Sequence, residues 1–274
     1  MGQSGAGQLP SQSPPLVAPC DQGTGENLMG TQFLNTRFAE VDPYFSYVIL
    51  LCSHETSGAY NSKDDSNDDR PVEVQSGSGI SLSSSQFKFG TRSLSTNGTD
   101  GVIHAPIAMA RNGINGNRGR FTGEATIEGW VYLNAYRNCI VFGTIERTVV
   151  SGRSYQVGVD GSGYPYVLIY NQFTGYSAQI TATDTIALNT WVSLCSTRDG
   201  SNEIRLFVNG VLQPTTLNDG TEFVGDGDNF GLNGTLNTAT FSKVVNGYQD
   251  EIRFTQKCRY TASYTPATAA FPRV

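Results

Sequence analysis

Acidic and aromatic side chains are the first candidates for chemistry in this chain. Asp64 and Asp65, followed by Asp68 and Asp69, crowd the polar loop Asn61 to Arg70 (NSKDDSNDDR). A calcium ion takes about six to eight oxygens, and such a loop can supply several. The bland alternative is a solvated loop. Asp250 and Glu251 are adjacent inside an apolar stretch, Tyr248 to Phe254. Neighbours in a strand point to opposite faces, so this pair cannot line one cleft. Tyr164, Tyr166, Tyr170, Phe173 and Tyr176 gather around an Asn-Gln-Phe-Thr-Gly loop. Exposed rings with polar neighbours are what a sugar face stacks on. The alternative is that these rings lie half-buried on sheet faces.

Five cysteines stand at 20, 52, 139, 195 and 258. The odd number leaves one unpaired unless chains are cross-linked. Cys52, Cys139 and Cys195 lie in apolar runs, which suits buried reduced thiols acting as small hydrophobes. No Cys-x-x-Cys spacing occurs, and His54 and His104 have no partner at ligand spacing, so a metal cluster of these residues is not expected.

The elements that must position such groups read as strands. Ala125 to Leu133 (ATIEGWVYL) places Ile127, Val131 and Leu133 on one face and Glu128, Trp130 and Tyr132 on the other. Glu203 to Gly210 (EIRLFVNG) alternates in the same way and ends in Asn-Gly, the strongest short hairpin signal. Tyr47 to Cys52 is apolar throughout, as a strand buried on both faces requires. Further strands are expected at 72–74, 80–82, 140–142, 154–159, 166–170, 178–181, 191–196, 230–232 and 248–254. Asp160-Gly161 provides a hairpin between two of them. Strand after strand without helical periodicity argues for two antiparallel sheets packed face to face. Leu206, Val208 and Trp191 are expected in the core with Ile127, Val131 and Leu133. Residues 105 to 120, with three arginines and several glycines, read as an exposed loop.

Composition bounds the function. The chain has 274 residues and a formal net charge of −6. That is enough for one sizeable β domain with extensions. Nucleic-acid binding demands Lys/Arg clusters that are missing here, so no nucleic-acid partner is expected. No run approaches the roughly 18 apolar residues of a membrane span. The first residues show no basic region followed by an apolar run, so a secretory signal is not expected. Residues 1–46 read as an extended arm and docking segment, and residues 47–274 as the sandwich with an extended tail. Pro10, Pro14, Pro15 and Pro19 forbid regular helix in the arm. Leu9, Leu16, Val17, Leu28, Phe33 and Phe38 give it apolar groups with little to fold against. Disorder and docking on a neighbouring subunit both answer to that pattern.

Several motifs occur in a family order. They are Leu50 to Glu55, Phe89 to Leu94, Thr126 to Val131, Leu188 to Trp191, Leu206 to Gly210, Gly247 to Arg253 and Arg259 to Pro266 (RYTASYTP). From about Val48 to the end the chain resembles the laminin-G-like, concanavalin A-like jelly-roll domains. The closing tail is similar to the copies on tailed-bacteriophage virion proteins. The resemblance implies an all-β, concanavalin A-like antiparallel jelly-roll sandwich behind an extended N-terminal arm. It implies a non-enzymatic virion structural protein, displayed on the capsid or tail and assembled in the host cytoplasm. Its partners would be other virion proteins and copies of itself. The alternative is a tail or fibre adhesin for a receptor or host-surface glycan. Glucanase relatives use two carboxylates about 5 Å apart, presented as Glu-x-Asp-x-x-Glu, a pattern missing here. Relatives also place calcium at the sandwich rim. By that resemblance Glu55 stands at a family aspartate and Asp250 at another. With Asp64 and Asp65 they would hold a structural calcium ion, and no other cofactor is implied.

Overall fold

A computed structural model describes residues 41–55, 63–66, 72–75, 79–106, 120–121, 123–144, 154–171, 174–224, 229–237 and 240–274. The chain divides into two compact units, Met1–Phe38 and Ala39–Val274, and the described residues all lie in the second. The arm residues Leu9, Leu16, Val17, Leu28, Phe33 and Phe38 lie outside the described residues, as does most of the segment 105–120.

After a short 3-10 turn at Phe45–Tyr47, the strands follow in chain order. They are β1 Val48–Cys52, β2 Glu73–Gln75, β3 Ile80–Ser83, β4 Ser93–Asn97, β5 Val102–Pro106, β6 Arg120–Phe121 and β7 Ala125–Leu133. Next come β8 Cys139–Thr144, β9 Ser154–Val159, β10 Pro165–Asn171, β11 Tyr176–Thr181, β12 Trp191–Arg198, β13 Glu203–Val208 and β14 Val211–Leu212. The last are β15 Leu217–Asn218, β16 Phe223–Val224, β17 Asn229–Gly231, β18 Thr235–Asn237, β19 Thr240–Ser242 and β20 Asn246–Thr255.

Two antiparallel sheets hold most of them. One has nine strands, ordered β14-β13-β12-β7-β20-β4-β3, with β1 also on β20 and β15 also on β13. The other has seven, ordered β11-β10-β9-β8-β17-β5-β2. The jelly-roll sandwich expected from the sequence is therefore the fold. Alternation sets the inner faces. Ile127, Val131 and Leu133 of β7 join Leu206 of β13, Val157 of β9 and Ile169 of β10 in one buried cluster. Phe230 stacks on Phe254 at 5.5 Å across the two sheets. A polar link also crosses the core, where the Tyr155 hydroxyl bonds to Ser196. Trp191 and Val208, expected in the core, are only half-buried. Trp191 opens β12 and Val208 closes β13, so each sits at the rim.

Part of the outer face of the nine-stranded sheet is covered by the C-terminal tail. Residues 256–274 have no regular structure but are tied across it. Thr126 Oγ1 donates to the Lys257 carbonyl at 2.7 Å, Thr197 Oγ1 donates to the Tyr260 carbonyl at 3.0 Å, and the Tyr264 amide donates to the Gly210 carbonyl at 2.9 Å. Tyr260 and Tyr264 stack 3.6 Å apart and close over Phe207. The Asn209-Gly210 turn expected from the sequence is present, with φ of 50° and 77°. Glycine is needed there twice over, because a Cβ on Gly210 would stand 2.0 Å from the Tyr264 carbonyl. Residues 41–46, read from sequence as the end of the arm, pack with this tail instead. Phe45 is buried with Val48, Leu51 and Phe271, and the Asp42 amide donates to the Val274 carbonyl at 3.2 Å.

Candidate functional site

Beyond the reach of the tail, the same outer face carries a row of aromatic rings. The register pairs Trp191 of β12 with Tyr132 of β7, and Tyr132 with Tyr248 of β20. Tyr132 stands out of phase with inward Val131 and Leu133, and the register carries Trp191 and Tyr248 onto the same outer face. Tyr132 meets Trp191 and Tyr248 edge to face, each at 5.6 Å between ring centres. All three rings are half-buried. Trp191 carries an indole N–H with no acceptor among the described residues. Ser95 and Ser81 continue the row across β4 and β3. The Ser193 amide donates to Asn209 Oδ1 at 3.0 Å on the other flank.

Trp130 lies two residues before Tyr132 on the same face, and a loop closes over it. Phe89 meets its ring edge to face at 5.8 Å. The ammonium of Lys88 stands 4.0 Å from the same ring centre. Asp250 holds this loop in place, because its Oδ2 accepts the amide hydrogens of Lys88 at 2.8 Å and Phe89 at 3.1 Å. Aromatic faces ringed by hydroxyls and amides suit a ligand with an apolar face and a polar edge, such as a sugar ring.

The covered end of the sheet holds charge of a different kind. Arg253 Nη2 is 2.7 Å from Glu128 Oε1, and Arg253 Nη1 is 3.0 Å from Asp42 Oδ2. Arg259 Nη2 reaches the same Asp42 oxygen at 2.7 Å. Burial alone would raise the Asp42 carboxyl, but its bonds to Arg259 and the Tyr44 amide, with the charges of Arg259 and Arg253, hold it below the usual range. A groove of about 380 Å³ runs beside this cluster, lined by Val41, Pro43, Arg259, Thr268 and Phe271 among others. Its arginines are held by carboxylates, so the cluster ties the tail down rather than offering a charge to a ligand.

The five aromatic residues singled out in the sequence do not form one platform. Tyr166 is buried, its ring lies over Gly158, and its hydroxyl donates to the Cys139 carbonyl at 3.4 Å. Tyr170 shares that outer face of β10 and is half-buried. Tyr176 pairs with Asn171 and packs against the core side. Tyr164 is half-buried in the turn before β10, and Phe173 lies outside the described residues. Two sheet faces therefore divide the set.

The calcium candidates are likewise separated in their tasks. Glu55 accepts the amides of Thr91 at 2.8 Å and Arg92 at 3.1 Å. Asp64 accepts the amides of Leu51 and Ser66, each at 2.9 Å. Asp65 accepts from the Ser53 hydroxyl and lies 3.6 Å from Arg273. Asp250 accepts from its loop and from the Glu251 amide. Each carboxylate fastens a loop to a strand. Among the described residues no group of three or more His, Cys, Asp and Glu converges to hold a metal ion. Cys139 and Cys195 are buried free thiols, Cys52 is buried, Cys258 is half-buried and free, and Cys20 lies outside the described residues.

The aromatic row went unread in the sequence. Trp130 and Tyr132 were visible as the outward set of β7. Pairing them with Trp191 and Tyr248 needs the register of strands far apart in the chain. The only local signal was an aromatic residue near one end of each of three alternating runs.

A laminin-G family model, described as the concanavalin A-like lectin/glucanases superfamily, matches residues 110–262, more than half of the chain. The chain belongs to the concanavalin A-like lectin/glucanase superfamily. No curated protein sequence matches it. Among solved structures it is similar to the binding domain of Paraclostridial Mosquitocidal Protein 1, at 12% identity and a TM-score of 0.56, covering 79% of this chain and 50% of that one. The receptor binding domain of botulinum neurotoxin D gives 12%, 0.56, 79% and 51% in the same order. The botulinum neurotoxin serotype D ligand binding domain in complex with N-acetylneuraminic acid gives 12%, 0.54, 79% and 49%. This chain thus spans about half the length of each. At such identity the likeness shows the superfamily fold alone.

Proposed function

We propose that this protein is a non-enzymatic binding domain that takes a carbohydrate along the outer face of its nine-stranded sheet. The cross-strand row Trp191–Tyr132–Tyr248 carries the reading. A saccharide chain laid over it would stack its apolar ring faces on the aromatic rings and bond its hydroxyls to Ser95, Ser81 and Asn209. The solved structure bound to N-acetylneuraminic acid lends support at the level of the superfamily fold. Hydrolysis is not part of the proposal. It needs a nucleophile and an acid about 5 Å apart, whereas Asp250 and Glu251 are buried and bonded to loop and tail amides. The test is binding of the purified protein to a glycan array, followed by Trp191→Ala and Tyr248→Ala. Each variant is expected to lose on the order of 10-fold in affinity or more, the scale of a stacking contact, with an unchanged far-ultraviolet circular dichroism spectrum. Folded variants that bind like the parent, or a parent that binds no saccharide, would remove the reading.

A second reading concerns where the domain works. Arg259 to Pro266, the segment that resembles phage virion copies, is here the cover of the sheet, with Tyr260 and Tyr264 stacked over Phe207. The resemblance of that segment supports display on a tailed-phage capsid or tail, with the residues ahead of 41 as anchor and assembly in the host cytoplasm. Antibody labelling of purified particles is expected to decorate one of the two. Particles without label would exclude virion display.

A further inference from the structure

We propose that the ligand of the aromatic row is an acidic saccharide bearing a carboxylate, and that Lys88 selects it. The proposal rests on the carbohydrate reading above and narrows it to a ligand class.

Lys88 is held at both ends. Its amide donates to buried Asp250 at 2.8 Å, and its ammonium lies 4.0 Å from the centre of the Trp130 ring and 5.4 Å from that of Phe89. A surface lysine ordinarily sweeps through many rotamers. This one is parked on an indole by a cation–π contact. Among the described residues no carboxylate comes within 4.0 Å of it. Asp250, the acid bonded to its own backbone, turns its oxygens to the amides of Lys88, Phe89 and Glu251.

The position of this cation gives it meaning. Trp130 and Tyr132 are two residues apart on one face of β7, so their side chains stand roughly 7 Å apart along the strand. A saccharide stacked on Tyr132 and Tyr248 and running on towards Trp130 would bring a substituent of its ring to Lys88. A neutral sugar would gain little there and would have to strip water from the ammonium. A carboxylate would gain a charge-assisted bond to a cation already fixed in place. The chain as a whole carries a net charge of −6, so a negatively charged ligand is attracted only where a local cation stands free. Ser95 and Ser81 supply neutral hydroxyls for the rest of the chain.

The experiment pairs acidic saccharides with their carboxyl-reduced forms: oligogalacturonate, oligomannuronate, hyaluronan oligosaccharides and sialyllactose. Titration calorimetry measures both members of each pair with the parent protein, Lys88→Gln and Lys88→Arg. At least one acidic member is expected to bind on the order of 10-fold tighter than its reduced form at 50 mM NaCl, with the ratio shrinking at 500 mM. Lys88→Gln should bring that ratio to about one, and Lys88→Arg should retain it, since guanidinium also stacks on indole. Equal binding of acidic and reduced members would overturn the proposal and leave the carbohydrate reading standing. An acidic preference that survives Lys88→Gln would also overturn it. Binding of neither form in any pair would overturn this proposal, and the glycan array then decides the carbohydrate reading by itself.

Discussion

Replacing Arg253 with methionine is expected to destabilise the domain by about 3–5 kcal/mol, the cost of breaking a buried ion pair from one side. Arg253 bonds Glu128 through Nε at 3.0 Å and Nη2 at 2.7 Å, and Asp42 through Nη1 at 3.0 Å. Its guanidinium also lies 3.7 Å from the centre of the Phe271 ring. Two arginines and two carboxylates balance in this cluster. Without Arg253, Glu128 keeps only a 3.7 Å approach from Arg259 and a 3.3 Å bond from the Tyr260 hydroxyl. A buried carboxylate would then stand without full compensation, and the tail would lose one of its anchors, keeping the Arg259–Asp42 pair and the Glu251–Phe271 bond. Urea unfolding of the parent and the variant measures the loss. The double variant Arg253→Met, Glu128→Leu should recover part of it, because the orphaned charge is gone. A loss below about 1 kcal/mol would mean that the cluster behaves as an exposed pair.

That cluster also shows what a sequence can and cannot reveal. Ala125–Leu133 was legible as a strand to the residue, because its period of two is unbroken and ends in turn residues. The inward set Ile127, Val131 and Leu133 followed from the same period. The outward set did not explain itself. Alternation says that Glu128 and Phe207 point away from the core, but not that a tail more than fifty residues downstream covers both. Phe207 is fully buried beneath Tyr264, and Glu128 is almost so beside Arg253. The placement of 41–46 escaped for a related reason. Asp42-Pro43 reads locally as the stop of any helix before it, whereas Asp42 is buried by arginines from the other end of the chain. Strands of two residues, such as β14 and β16, carry no period at all and are set by their partners. At the candidate site, single rings were legible and their alignment was not, since register between β12, β7 and β20 is a tertiary property.

The bulge in β20 leads to the second large effect, a fall in stability as pH rises from about 5 to 7. Register breaks between Asp250 and Arg253, and Glu251 takes a left-handed φ of 49°. The sequence argument that strand neighbours point apart therefore meets an irregular strand. Even so the two side chains go separate ways, Asp250 to the Lys88 loop and Glu251 to the Phe271 amide at 2.9 Å. Burial pushes Asp250 up to about 7, against the Phe89 and Lys88 amides and with the charge of Glu251 beside it. Burial likewise pushes Glu251 up to about 7, against the Phe271 amide and Arg273. In the unfolded chain both ionise near 4. Between those values the folded state holds up to two protons that the unfolded state has released, so stability must decline with rising pH. His54 opposes this in part. Burial lowers it to about 4, so below its unfolded value near 6.5 the unfolded chain binds one proton more. Two protons against one leave a net slope of about −1.4 kcal/mol per pH unit between pH 5 and 6, which flattens above about pH 7 as the folded carboxylates release their own protons. Urea midpoints taken every half unit from pH 5 to 8 read this directly. Asp250→Asn keeps an acceptor for the loop amides and removes one ionisation, so its slope between pH 5 and 6 should fall to about zero. His54→Gln removes the opposing group and should steepen the slope there. A parent protein whose stability is flat or rises across pH 5 to 7 would show that the two carboxylates are ionised at no such cost, and that the bulge leaves them open to water.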